Sequence, residues 1–255
     1  MDRRAPKPKP IKPKPMRPGK TAASATNGEP EYPRPPVSVD VVILALHDGR
    51  LQVLLMKRGA EPFHGAWALP GGYVHPAEDA DLEAAARRIL RDKAGIETPY
   101  VEQLQGFGNA RRDPRGWSAT FAYFALIASK NLVLKQGANA EKVAWWEING
   151  HRVRTALAFD HTNILATAVT RLRNKVQYTS LPVHLLPAKF TLPDLQRVYE
   201  QILDRRIDKS AFRKRIAEAD FLEPVPGEKR PASNRPAQMY RIKRGLATIF
   251  FDRTI

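Results

Sequence analysis

The sequence predicts an α/β domain followed by a small, basic, helical unit, and three stretches carry that prediction. Val41 to Leu46 and Leu51 to Lys57 are apolar runs separated only by His47, Asp48, Gly49 and Arg50, which signals a β-hairpin. Pro70 to Ile96, PGGYVHPAEDADLEAAARRILRDKAGI, gives a glycine loop, a helix and a Gly-Ile exit in one run. Thr191 to Ile216 reads as two short helices joined by a tight turn. With 255 residues, 43% of them hydrophobic, the chain has room for one large or two small domains with real cores.

In chain order, residues 1–20 hold six prolines and eight Lys or Arg in a KPKPIKPKP pattern, so a basic tail over 1–36 is expected to be extended and disordered. Such a tail either adds nonspecific phosphate affinity by counterion release or is an unstructured leader and no more. The hairpin follows, and KRGAEPFHGAWALPGG leads from its second strand into the glycine loop. Gly71 and Gly72 let the backbone approach a ligand or take positive φ. Asp79, Asp81 and Glu83 load the next turns with acid, Ala84 to Ala86 favour helix, and Gly95 with Ile96 ends it, which predicts a helix over 79–94. Taken alone, Leu82, Ala86, Ile89 and Leu90 would make it an ordinary amphipathic surface helix.

Arg111 to Arg115 form a turn between Phe107 and a strand over Ser118 to Leu126. Arg112 and Arg115 are candidates for bidentate contact with a phosphate, and pairing inside the turn with Asp113 is the competing use of the same groups. Trp67, Tyr73, Phe107 and Trp117 are stacking candidates for a base, with two of them expected in the core. VAWWEI reads as a strand. Asp160 is expected to cap a helix over 161–176 that links the two units, and His161 has no further metal ligands nearby in sequence.

Beyond that linker, Thr191 is an N-cap with Pro193 in the first turn, and Leu195, Val198, Tyr199 and Ile202 recur at helical spacing toward a core. Asp204 to Ile207 turn the chain, Asp208 caps the second helix, and Phe212 and Ile216 anchor it inward. Lys209, Ser210, Arg213, Lys214 and Arg215 are left to face outward. Glu223 to Gln238 is rich in Pro, Gly and charge, and Met239 to Ile242 returns as a strand. That makes a wing, with Lys229, Arg230 and Arg235 placed to meet phosphates. Two short helices with a basic second one fit helix-turn-helix geometry, and a basic helical hairpin for dimer contacts is the plainer alternative.

Composition narrows the function. There is no cysteine, which excludes disulfides and thiolate metal sites and fits an intracellular protein. No apolar run is long enough for a membrane span, and the first 20 residues lack the apolar core of a signal peptide. Net charge is +16, but residues 37–170 hold fifteen basic and fourteen acidic side chains, against seventeen and eight in 171–245. The excess sits in the tail and the last third, which points to a polyanion there or to a solvated basic face.

The stretch from the glycine loop to Gly-Ile resembles the Nudix box. Gly72, Glu78, Arg88, Leu90, Gly95 and Ile96 match it, with nine residues between Glu78 and Arg88, a longer spacing than the box has. Where the box places three glutamates that present oxygens to Mg²⁺, this chain has Ile89, Asp92 and Lys93. The resemblance therefore implies a degenerate site that binds a nucleotide diphosphate without efficient turnover: no catalytic residues, no required cofactor, and at most a weak Mg²⁺ at Glu78 and Asp92. The RDPRGW segment, the FDH helix start, the FTL…L…VYE helix and the FRK helix follow in order, and from about residue 38 to 244 the chain resembles the Nudix-related transcriptional regulators of NAD metabolism.

That resemblance implies a Nudix-type mixed sheet between helices, an α/β/α sandwich over 37–159, a linker helix over 160–178 and a winged helix-turn-helix over 179–255. It implies a cytoplasmic, nucleoid-associated homodimer on a double-stranded operator, with ADP-ribose or a related NAD metabolite as effector. Gly71, Gly72, Glu78, Arg112, Arg115 and Trp117 would hold the ligand, and the outward residues of the second helix and the wing would hold DNA. Two other functions remain open at this level: a Mg²⁺-dependent ADP-sugar pyrophosphohydrolase with an accessory basic domain, and an RNA-associated Nudix-fold binder.

Overall fold

Strand β1 (Val37–His47) is the spine of the larger unit. The computed structural model describes residues 34–47, 49–98, 100–128, 140–231, 236–245, 248–251 and 255; the tail expected over 1–36 lies outside them except for 34–36. β1 and β2 (Arg50–Arg58) make the expected hairpin, with His47 opposite Arg50 and Gly49 at φ +74°, the left-handed conformation that so short a turn needs. β1 pairs with β2 only through Leu44 to His47. Toward its start it pairs instead with β4 (Gly71–Tyr73), and along its other edge it runs parallel to β6 (Ser118–Ile127). β3 (Trp67–Ala68) takes the far end of β2 at Met56 and Lys57, so the two short strands fill a fork where β1 and β2 diverge. β7 (Ala140–Glu147) lies along the outer edge of β2, and β5 (Val101–Asn109) closes the other side against β6. Among the described residues this is a seven-stranded mixed sheet.

Alternation along β1 divides the core in two. Val39, Val41 and Ile43 pack with Ala85, Ala86 and Ile89 of α1 (Leu82–Ile89) on one face. Val42, Leu44 and Leu46 pack with Ile164, Leu165, Ala168 and Leu172 of α2 (His161–Val176) on the other. The sheet is thus the middle layer of an α/β/α sandwich. α1 starts at Leu82, later than the sequence suggests, because the Asp81 carboxylate accepts from the Ala84 N–H at 2.7 Å and becomes the N-cap. The helix then widens into a π turn over Leu90–Ala94 and stops at Gly95, φ +65°.

After α2 comes a 3₁₀ turn (Leu181–Leu185), then β8 (Phe190–Thr191), α3 (Leu192–Leu203), α4 (Lys209–Glu218), β9 (Leu222–Arg230) and β10 (Ala237–Ile242). Thr191 and Asp194 form a reciprocal capping box at the start of α3, and Asp208 caps α4 through the Ala211 N–H at 2.8 Å. Leu195, Val198, Tyr199, Ile202, Phe212 and Ile216 are all buried. Much of the Pro-rich stretch read as a wing loop is strand: β9 runs through Pro224 and Pro226, which an edge strand tolerates because it need not donate on its open side.

The two units share one apolar cluster, continuous from β1 through α2 into α3 and α4. Polar bonds reinforce the junction. Tyr199 Oη donates to the Thr179 carbonyl at 2.7 Å, and Arg173 Nε to the Ile202 carbonyl at 3.1 Å. Glu102 on β5 accepts from Arg171 at 3.0 Å and Lys175 at 2.6 Å, which ties the sheet edge to α2. The chain end also returns here, with Ser180 N–H bonded to the Ile249 carbonyl and Phe251 N–H to the Tyr178 carbonyl. Among the described residues no helix is long and apolar enough to cross a membrane.

Candidate functional site

A cavity of about 570 Å³ opens at the fork between β1 and β2. Asp40 lies at its base, 6% exposed, and Gly71 lies against it so closely that a Cβ there would stand 2.0 Å from Asp40 Oδ1. Gly71 is therefore required by close approach. Gly72 is not, since a Cβ there would meet only Ile89 Cγ1 at 4.0 Å. Burial works to raise the Asp40 carboxyl, but His161, Thr120 and Arg112 together hold it below its ordinary range.

Arg112 lines the cavity with its charge already engaged. Nε and Nη2 donate to the two Asp160 oxygens at 3.2 and 3.1 Å, Nη1 donates to Ser118 Oγ at 3.2 Å, and Nη2 lies 3.5 Å from Asp40 Oδ2. Asp160 does stand at the N-cap position of α2, yet its carboxylate makes no cap bond. A buried guanidinium needs a counter-charge more than a helix end needs a side-chain cap. His161 Nδ1 accepts from the Leu69 N–H at 2.9 Å, which puts the ring proton on Nε2, 3.6 Å from Asp40 Oδ1. Arg115 chelates Asp113, at 2.7 Å for the shortest pair, while remaining half-exposed at the cavity with the Tyr73 ring 6.0 Å away.

The box residues divide. Arg88 makes a fork-to-fork pair with Asp79, at 2.7 and 2.8 Å, and also donates to the Tyr73 carbonyl at 3.0 Å. That hydrogen bonding pulls the Asp79 carboxyl down to about 2, burial opposing it. Glu78 is turned outward and meets His75 at 3.2 Å without lining the cavity. So Asp79, which the sequence reading placed merely in an acidic first turn, is the carboxylate given to Arg88; the long spacing between Glu78 and Arg88 was the available signal. Asp92 and Lys93 both line the cavity. The lining includes six Lys or Arg (57, 58, 88, 93, 112 and 115) against Asp40, Asp92 and Asp113. This donor set does not suit Mg²⁺: Glu78 is directed elsewhere, Lys93 adjoins Asp92, and no cluster of three or more metal-binding side chains occurs among the described residues.

Of the aromatic candidates, Tyr73 lines the cavity, whereas Trp117 is 51% exposed, packs near Gly108 and does not. Trp67 meets Trp146 edge-on at 5.2 Å, and Phe107 packs on the core. Sequence reasoning missed Phe159, which lines the cavity under Arg58 at 4.8 Å and holds φ +54°, a conformation rare outside glycine. Gly71, Gly72, Arg112 and Arg115 thus converge on the cavity, and Glu78 and Trp117 do not.

On the smaller unit, Phe212 and Ile216 pin α4 inward while Lys209, Ser210, Arg213 and Lys214 are exposed and Arg215 is half-buried. Lys214 comes no nearer than 4.0 Å to Glu218. Lys229 is exposed on β9. Arg230 instead donates to Asp194 Oδ2 at 2.6 Å and Thr191 Oγ1 at 2.9 Å, fastening the wing to the cap of α3. Arg235 lies outside the described residues.

A Nudix-type sandwich with a cation-rich cavity, joined to a basic winged helix, is the architecture of a ligand-linked transcriptional regulator. The model of the NUDIX domain matches residues 34–168, and that of the NrtR DNA-binding winged helix domain matches 182–242. The ADPR responsive transcriptional repressor NtrR of Acinetobacter baylyi is 44% identical over 211 residues, 83% of each chain. Shewanella oneidensis NrtR complexed with a 27mer DNA superimposes with a TM-score of 0.77 at 38% identity, over 86% of this chain and 99% of that one. The NUDIX domain of that protein complexed with ADP ribose gives 0.51 at 38% identity, over 55% of this chain and 90% of that one. The chain belongs to the NrtR family of Nudix-related transcriptional regulators.

Proposed function

We propose that the protein represses genes of NAD synthesis or salvage and releases them when ADP-ribose or a related NAD metabolite occupies the cavity. The observation that carries this reading is the cavity itself: Lys93 faces it where metal chemistry would need a carboxylate, among five other cations. A cation built into the wall neutralises a pyrophosphate without Mg²⁺ and leaves no activated water to cleave it. In this reading Arg58, Lys93 and Arg115, with Arg112 sharing its fork, take the phosphates, and Tyr73 offers a ring face to the base, all of them lining the cavity. The related Acinetobacter repressor is named as ADPR responsive, which supports the choice of nucleotide.

On the DNA side, α4 enters the major groove, with Lys209, Ser210, Arg213 and Lys214 toward bases and phosphates and Lys229 on the flanking backbone. Residues 37–159 sense, 160–178 link and 179–255 read. A homodimer sets two such helices on a palindromic operator in the cytoplasm, at the nucleoid. The ligand works by population shift, favouring a dimer geometry in which the two helices no longer match the half-sites. A gel-shift assay with DNA from upstream of the coding sequence tests it. Binding is expected, to be lost in Arg213→Ala plus Lys214→Ala and weakened by millimolar ADP-ribose; rapid release of AMP from ADP-ribose with Mg²⁺ would overturn the sensor in favour of an enzyme.

A further inference from the structure

The side chains at the start of α2 connect the cavity to the helix that leads into the winged unit. We propose that Asp160 is the positioning residue that reports phosphate charge in the cavity: held by Arg112 in the structure, it is released to cap α2 when a pyrophosphate takes a share of that guanidinium. The inference rests on reading the cavity as a nucleotide site.

Four observations support it. The other α-helices of the described chain, α1, α3 and α4, have an extended N-cap residue whose side chain accepts a backbone N–H: Asp81, Thr191 and Asp208. Asp160, of a type well suited to capping, stands at φ −96°, ψ +20° with no such bond. Its carboxylate is diverted to Arg112, a cavity-lining group whose fork suits a phosphate at least as well as a carboxylate. Phe159, the preceding residue, also lines the cavity and is held in the strained left-handed region, so the two residues ahead of α2 are poised for a backbone change. Finally, α2 is seated in the shared core and Arg173 bonds the last turn of α3, so displacement at one end of the helix reaches the reading pair at the other. The bistable element is a single carboxylate with two alternative partners, the guanidinium at 3.1 Å and the N–H groups in the first turn of its own helix, where the Asn163 N–H is held in this state by the Asp160 carbonyl at 2.9 Å.

Titration of wild type and Asp160→Ala with ADP-ribose and with operator DNA, separately and together, tests the coupling. In wild type, saturating ADP-ribose should weaken DNA binding by about tenfold or more, and in Asp160→Ala by less than about threefold, while DNA alone binds the variant nearly as well as wild type and ADP-ribose alone binds it at least as tightly, because Arg112 no longer has to give up that carboxylate. A variant that keeps the full shift overturns the proposal. Hydrogen exchange over 159–166 in the wild-type protein gives a readout that needs no variant: ADP-ribose should slow exchange there as the cap forms, and unchanged exchange in a protein that has bound the ligand overturns the proposal too. Wild type that binds no ADP-ribose at millimolar concentration defeats the effector reading first, a result calorimetry separates from failed coupling.

Discussion

Gly71→Ala and Gly72→Ala are neighbouring, chemically identical changes for which the structure predicts opposite results. At position 71 the new methyl would lie 2.0 Å from Asp40 Oδ1, 3.1 Å from Asp40 Cγ and 3.1 Å from the Val39 carbonyl. Relief requires a movement of about 1.5 Å. The backbone carbonyl is fixed in β1, and the carboxylate can retreat only by leaving Arg112 at 3.5 Å and His161 at 3.6 Å. Overpacking of this kind costs about 1–3 kcal/mol, and loosening a buried ion pair adds to it, for about 2–4 kcal/mol in all. For a folded unit of this size that is a fall of roughly 5–15 °C in Tm. At position 72 the methyl meets only Ile89 Cγ1 at 4.0 Å and no positive φ is required, so the variant should melt within about 2 °C of the parent. Calorimetric melting of the three proteins decides the matter. Equal Tm values for the two variants, or a less stable Gly72→Ala, would refute the reasoning.

Arg213→Ala and Lys214→Ala, made singly, should each reduce the slope of log K against log salt by about 1, as one phosphate contact would; a lower affinity with an unchanged slope would place that group off the backbone. Lys93→Glu should weaken metal-free ADP-ribose binding by about tenfold or more, measured by calorimetry in a chelator, and unaltered affinity would remove Lys93 from the site. Burial against the Tyr100 ring, 5.0 Å away, pulls His184 from an ordinary 6.5 to about 4. The unfolded chain then takes a proton that the folded one refuses, so this contribution to stability is complete above about pH 6.5 and declines as pH falls toward 4. His184→Gln should flatten that part of the urea-midpoint profile, and identical profiles would count against it.

What the sequence made legible was local. The hairpin at Gly49, the caps at Thr191 and Asp208 and the inward positions of α3 and α4 each depend on residues within a turn or two of one another. Much of the cavity chemistry depends on distant pairs. Asp160 gives up its cap to an arginine 48 positions earlier in the chain, and Asp40 is matched to His161 across β1 and α2, which no spacing rule reaches. The pairing of Asp79 with Arg88 was closer to hand. It turned on where the helix begins, and Asp81 decided that by binding the Ala84 N–H.

The uninterrupted apolar cluster from β1 to α4 also bears on where the chain can be cut and rejoined. A tethered reading head could be exchanged by recombination at its linker. Here any crossover near Val176 or Leu181 would cut through a buried surface and leave Leu172, Tyr199 and Phe212 without their counterparts. A chimera joined there is expected to melt well below either parent unless both sides of that buried surface are exchanged together.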